Sequence, residues 1–172
     1  MLTSQKTTVN KEYLSKQKSN GEIAINKMLT IAESCGKSFA NSTVLEVRCH
    51  SGSTSFSIAD LGASEVIGTE FSGYKVESVE ADKQDHESKL VEVNGELKNI
   101  RKGLAELFKN SNKVKFVDDD ICNSKLPLAS FDIICSWEVL EHLHDTERAF
   151  ASMSKLLKED GIMIHEYTPF FA

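Results

Sequence analysis

The stretch VLEVRCHSGSTSF, Val44 to Phe56, joins a short apolar run to a glycine-bearing turn and then to a helical pattern. A strand that feeds a helix through such a turn is where many α/β folds hold a nucleotide-like ligand. Two residues disturb the pattern. Arg48 and His50 stand where such turns carry their tightest glycines, and only Gly52 remains. If the backbone there must run at positive φ, each side chain costs about 1–2 kcal/mol relative to glycine. Arg48 then turns aside, pairs with a ligand carboxylate, or fills the pocket.

Upstream, Ile25, Met28, Leu29 and Ala32 recur at helical spacing between Glu22 and Cys35, and Gly36 is the expected stop. Residues 1–20 are polar and read as loosely helical or mobile. Downstream, SFSIADLG is a helix closed by Gly62, and Ser64 to Glu70 a second strand. A polar stretch, Gly73 to Ser88, reads as a loop or insertion. Leu90, Val93, Leu97, Ile100, Leu104 and Leu107 then step by three and four. That spacing predicts an amphipathic helix with Glu92, Glu96, Lys98, Arg101 and Lys102 on its wet side. KVKFVD and Phe131 to Ser136 are the third and fourth strands. Asp145 or Thr146 caps a helix buried through Phe150, Met153, Leu156 and Leu157 and stopped at Gly161, and IMIHEY is the fifth strand. Strands and helices alternate, and several strands are apolar on both faces, as in a buried parallel sheet. The fold class is a doubly wound, Rossmann-like α/β domain with a mostly parallel sheet of about five strands. It spans residues 41–172, preceded by a polar segment and helix over residues 1–40.

At 172 residues and 40% hydrophobic, the chain supports one core of useful size. A net charge of -6 argues against nucleic acid as a partner. No apolar run reaches the length of a membrane span, and MLTSQKTTVNKEYLSKQKSNG carries no signal-peptide core. The four cysteines are scattered without a CxxC pair and read as reduced thiols, so a cytoplasmic protein is expected.

The residues just beyond each strand are acidic and aromatic: Glu46 after the first, Glu70 and Phe71 after the second, Asp118 to Ile121 after the third, Ser136 and Trp137 after the fourth. A pyrophosphate wants a glycine-rich helix start free of opposing carboxylates, and Glu46 disfavours it. An ammonium, a ribose diol and an adenine suit the rim better. Glu46 would attract the amine, Glu70 accept from the ribose hydroxyls, and Asp120 accept from the adenine amine between Phe71 and Ile121. Trp137, directly after the fourth strand, is the aromatic placed to line the pocket. Three adjacent aspartates do not converge on one ion, and His142 and His144 point apart, so no metal is expected. Glu138, Glu141 or His142 are candidate general bases.

Together these features resemble the class I S-adenosylmethionine-dependent methyltransferases of the small methyltransferase-domain type. The first motif of that family is matched by Val44, Leu45, Glu46 and Gly52, and the second by Glu70 in VIGTEFS. The third is matched by Asp119, Asp120 and Ile121, and the fourth by FDIICSWEVLEHLHD. The resemblance implies cofactor contacts at Glu46, Val47, Arg48, Gly52, Glu70, Phe71, Asp119, Asp120, Ile121, Ser136 and Trp137. It also implies S-adenosylhomocysteine as product and a small-molecule methyl acceptor. It runs from about Thr43 to Pro169 and stops at strand five, before a helix and two strands that the family's sheet normally adds. The domain is therefore expected to be incomplete there, with Phe170 and Phe171 on a bare edge that invites self-association. A non-catalytic, decayed module acting through that edge is the alternative. A nicotinamide dehydrogenase is disfavoured by Glu46, Arg48, His50 and VLEHL.

Overall fold

The computed structural model describes residues 10–71 and 96–167. Helix α1 (Lys11–Ser34) is followed by β1 (Thr43–Glu46), α2 (Ser53–Asp60), β2 (Glu65–Glu70) and α3, helical over 96–105. Then come β3 (Val114–Asp118), β4 (Phe131–Trp137), α4 (Thr146–Leu156) and β5 (Leu157–Glu166). The five strands are all parallel, in the order β3-β2-β1-β4-β5. This is the Rossmann-like α/β architecture expected from the alternation of elements.

Period-two alternation divides the core. Val44 and Ile133 face α1 and α2, where Ile25, Met28, Ala32, Ile58 and Ala59 are buried. Leu45 and Ile134 face the other way, onto Ala149, Met153 and Leu156 of α4. A third cluster, Leu14, Phe56, Ile100, Leu104 and Phe108, ties α1, α2 and α3 together. The stripe of the third helix is thus buried at Leu97, Ile100 and Leu104, while Leu107 lies past its end and is exposed. Leu90, Val93 and the expected Gly73 to Ser88 loop lie outside the described residues.

Four expectations change. Helix α1 begins at Lys11, not Glu22, with Asn10 as its cap accepting from the Glu12 N–H at 2.9 Å. Its early buried face is Leu14, Gly21 and Ala24, too small and sparse to register as a hydrophobic stripe. Gly161 does not stop α4; the helix ends at Leu156 and β5 starts at Leu157. The reason is a bulge: Phe131 pairs with Leu157 but Ile133 with Ile162, and Lys158 Nζ anchors the extra loop on Asp132 at 2.9 Å. Phe150 is exposed rather than buried, its ring edge-on to His165. Arg101, assigned to the wet side of α3, is half-buried and turned onto the β1–α2 turn.

Gly21 explains how α1 reaches the β1–α2 junction. A Cβ on it would lie 2.5 Å from the Ser53 carbonyl carbon and oxygen, at the start of α2. Alanine for glycine inside a helix ordinarily stabilises by about 1 kcal/mol. Here the obstacle is backbone, and overpacking of about 1–3 kcal/mol wins. Gly21→Ala is expected to lower the melting temperature by several degrees in a thermal melt; a rise would show that the two helices separate at little cost.

Candidate functional site

Strand order reverses between β1 and β4, which opens a crevice at the strand C-termini. Four strands end there on carboxylates, Glu46, Glu70, Asp118 and Glu166, and β4 ends on Trp137. The turn leaving β1 is stitched to both neighbours, Val47 N–H to the Cys135 carbonyl at 2.9 Å and Cys49 N–H to that of Thr69 at 2.8 Å. Arg48 and His50 both adopt left-handed backbone, with φ of 53° and 45°. They occupy angles that glycine takes freely, at a cost of about 1–2 kcal/mol each. Gly52 has φ 78°, and a Cβ there would lie 2.4 Å from the Phe116 ring.

Both oxygens of Glu70 are engaged by this turn. The His50 N–H donates to Oε2 at 2.8 Å, and Arg48 Nε lies 3.8 Å from Oε1. From the far side, Arg101 of α3 donates two N–H groups to the His50 carbonyl, at 3.0 and 2.6 Å. Its guanidinium also lies 4.2 Å from the centre of the Phe116 ring.

Arg48 divides the crevice. On one side it joins Glu46, His50, Trp137, Glu138 and Gln17 and Asn20 of α1 around a cavity of about 440 Å³. On the other it joins Val47, Phe71, Asp119, Asp120 and Ile121 around a cleft of about 10 Å³. Glu46 is buried and accepts from the Ser55 hydroxyl. Burial pushes its carboxyl up to about 7, against the opposing pull of hydrogen bonds from Ser55 and Thr54. Burial also pushes the Cys49 and Cys135 thiols up, away from reactive thiolates. Lys27 lies over one face of Trp137, 4.6 Å from the ring centre, and so reserves that face.

The two aspartates after β3 both line this cleft but differ in their bonding. Asp120 accepts from the Cys122 N–H at 2.9 Å and caps a 3-10 turn over Ile121–Asn123. Asp119 is 8% exposed; its Oδ1 accepts from the Lys125 N–H at 2.8 Å, and its Oδ2 is buried without a hydrogen-bond partner. Ser136 lines neither space, being fully buried and 2.7 Å from His165 Nδ1. Burial holds the His165 imidazole below its ordinary range. Of the three candidate bases only Glu138 lines the larger cavity, and it too has positive φ, 52°. Among the described residues no group of three or more His, Cys, Asp or Glu could hold a metal ion. Sequence reasoning missed Gln17, Asn20 and Arg101, since polar residues on a helix carry no local sign of what they face.

A crevice at the switch point of a parallel sheet is where Rossmann-like domains take their ligands. Residues 21–170 match the family described as methyltransferase domain, and the chain belongs to that family. Solved structures share the fold. An S-adenosylmethionine-dependent methyltransferase from Mesorhizobium loti is 18% identical, with a TM-score of 0.53 over 74% of this chain and 47% of that one. The YcgJ protein from Bacillus subtilis is 23% identical, with a TM-score of 0.56 over 83% and 50%. Phosphoethanolamine N-methyltransferase 2 from Haemonchus contortus, in complex with S-adenosyl-L-methionine, is 20% identical, with a TM-score of 0.57 over 81% and 27%. The chain thus spans half the length of these proteins or less. No curated protein matches it.

The donor set suits S-adenosylmethionine chemically. The orphaned Asp119 Oδ2 can accept from an exocyclic amine beside Phe71 and Ile121, and Glu46 can take an ammonium. Glu70, the carboxylate expected to accept from a ribose diol, also faces Arg48.

Glu46 makes the fold pH-sensitive. Its folded value near 7 lies above the ordinary 4.5, so the protonated form favours the fold. That contribution is complete below about pH 4.5 and is lost as pH rises through 7, roughly 3 kcal/mol in all. Glu46→Gln, a neutral isostere, is expected to melt roughly 5–10 °C above the unaltered chain at pH 8 and level with it at pH 4.5. Equal melting temperatures at pH 8 would mean that the buried carboxyl ionises without cost.

Proposed function

We propose that the chain is an S-adenosylmethionine-dependent methyltransferase domain that acts on a small-molecule acceptor and yields S-adenosylhomocysteine. One observation carries the reading: in a member of the methyltransferase-domain family, a buried carboxyl borders a cavity of about 440 Å³ at the switch point of the sheet. When bound, the cofactor supplies a methyl group on a sulfonium, already activated towards a nucleophile.

The chain's own residues then have four tasks. Glu46 holds the ammonium, and the backbone at Val47 and Gly52 lets the ligand approach the turn. Glu70 takes the ribose hydroxyls. Asp119, with Asp120, Phe71 and Ile121, receives the adenine. Trp137 lines the methyl-donor side with the face not covered by Lys27. Ser136 has no task in this scheme, since it is bonded to His165 on the α4 side. Alignment and exclusion of water supply most of the catalysis, and Glu138 is the group placed to accept a proton from the acceptor.

A small-molecule acceptor is supported by the phosphoethanolamine enzyme among the similar structures. A cytoplasmic setting is supported by four free cysteines. Among the described residues no helix is long and apolar enough to cross a membrane. The competing reading, a fold that has lost its cofactor and acts through self-association at β5, draws on the Arg48–Glu70 pair and the narrow adenine cleft.

Calorimetric titration with S-adenosylmethionine and S-adenosylhomocysteine separates the two. The unaltered chain is expected to bind both, and the Arg48→Gly, His50→Gly variant to bind about fivefold tighter because the competitor for Glu70 is gone. No binding by either chain would sink the methyltransferase reading.

A further inference from the structure

We propose that Arg101 is a positioning residue for the cofactor turn, standing in for the glycines the turn lacks. The inference rests on the methyltransferase reading. Residue 50 has a side chain yet sits at φ 45°, where relaxation to ordinary backbone angles is favoured. Two hydrogen-bonded contacts oppose that relaxation. On one side its N–H is held by Glu70 Oε2 at 2.8 Å. On the other its carbonyl accepts both Arg101 Nε–H and Nη2–H, at 3.0 and 2.6 Å.

Holding the N–H and the C=O of one residue orients the peptide planes on both sides of it, and so sets its φ and ψ. The brace is itself anchored. Arg101 projects from a helix seated by buried Leu97, Ile100 and Leu104. Its guanidinium stacks on Phe116, the ring that fills the space beneath Gly52. It lines neither the Glu46 cavity nor the Asp119 cleft, but borders a third space of about 400 Å³ with Glu70, Phe116 and Asp118. The role proposed here is exerted through the turn. The His50→Gly background separates it from a direct contact in that space, which would cost the same in both backgrounds. A turn that is ligand-competent only part of the time binds more weakly in proportion to that fraction. Glycine at position 50 would populate the left-handed state unaided, and the brace would lose its purpose.

The test is a double-mutant cycle with two readouts. Arg101→Met keeps an apolar stem without donors, and Arg101→Lys keeps a charged donor; each is made in the native chain and in His50→Gly. Without ligand, amide hydrogen exchange is followed at His50 and Gly52, with Leu45 in β1 as an internal reference. With ligand, the affinity for S-adenosylhomocysteine is measured by calorimetry. Arg101→Met is expected to speed exchange at the two turn amides and to weaken binding, each roughly tenfold, with Leu45 unchanged. Arg101→Lys should recover part of both effects. In the His50→Gly background the same Met substitution should weaken binding less than about threefold.

An equal loss in both backgrounds, or no loss in either, overturns the proposal while leaving the methyltransferase reading intact. Slowed or unchanged exchange at His50 overturns it as well. If no chain binds S-adenosylhomocysteine, the unaltered one included, the methyltransferase reading fails and the positioning role falls with it.

Discussion

A turn that runs left-handed through two residues with side chains governs the shape of this site. Arg48 and His50 would each relax to ordinary angles if released, and together they hold a strain of a few kcal/mol. The strain persists because the surroundings over-determine it. Val47 and Cys49 are stitched to the strands on either side, Gly52 N–H closes the turn on the Cys49 carbonyl at 2.7 Å, and residue 50 is held at both ends. From this follow the direction of α2, the seat of Phe116 beneath Gly52, and the place of Arg48 between two cavities.

The rim of carboxylates sets the electrostatics around that turn. Strands ending on Glu46, Glu70, Asp118 and Glu166 gather negative charge in a chain already at -6. Such a rim favours a ligand with cationic groups and repels a phosphate. Burial leaves Glu46 near half-protonated at neutral pH, so its charge is conditional. An ammonium beside it would favour the ionised form, which couples the arrival of a cation to the release of a proton. The same carboxyl therefore weakens the empty fold at high pH and suits a cationic ligand there.

The sequence was most legible where burial is large and periodic. β1 and β4 are apolar on both faces, and a parallel sheet of that order requires it. Glu46 and Glu70 could be placed at the sheet's rim because a strand end positions a residue without needing its side-chain partners. Other features depend on contacts with no local signature. The first turns of α1 hide their buried face in Gly21 and Ala24, small because α2 comes so close. The early start of β5 lies in the polar run Lys158–Gly161, whose pairing is set by Asp132 across the sheet. Which aspartate turns inward depends on a 3-10 turn that occupies Asp120 and leaves Asp119 Oδ2 unsatisfied. Arg101 reads as solvent-facing because nothing in its own helix reveals the carbonyl it reaches.

Arg48 is the residue on which intact and decayed readings divide, and its pair with Glu70 alone is a weak obstacle to a ligand. Its pair with Glu70 is long, at 3.8 Å, and both side chains keep about a quarter of their surface in water. Such a pair is worth no more than about 1 kcal/mol. A ribose diol offers the same carboxylate hydrogen bonds with a charged acceptor, worth about 1.5–3 kcal/mol each. Arg48 also borders the larger cavity. The narrow cleft beside Asp119 has Arg48 on its wall, the same residue that borders the larger cavity. A side chain packed there to close the site for good would be apolar, buried and free of backbone strain, and Arg48 is none of these.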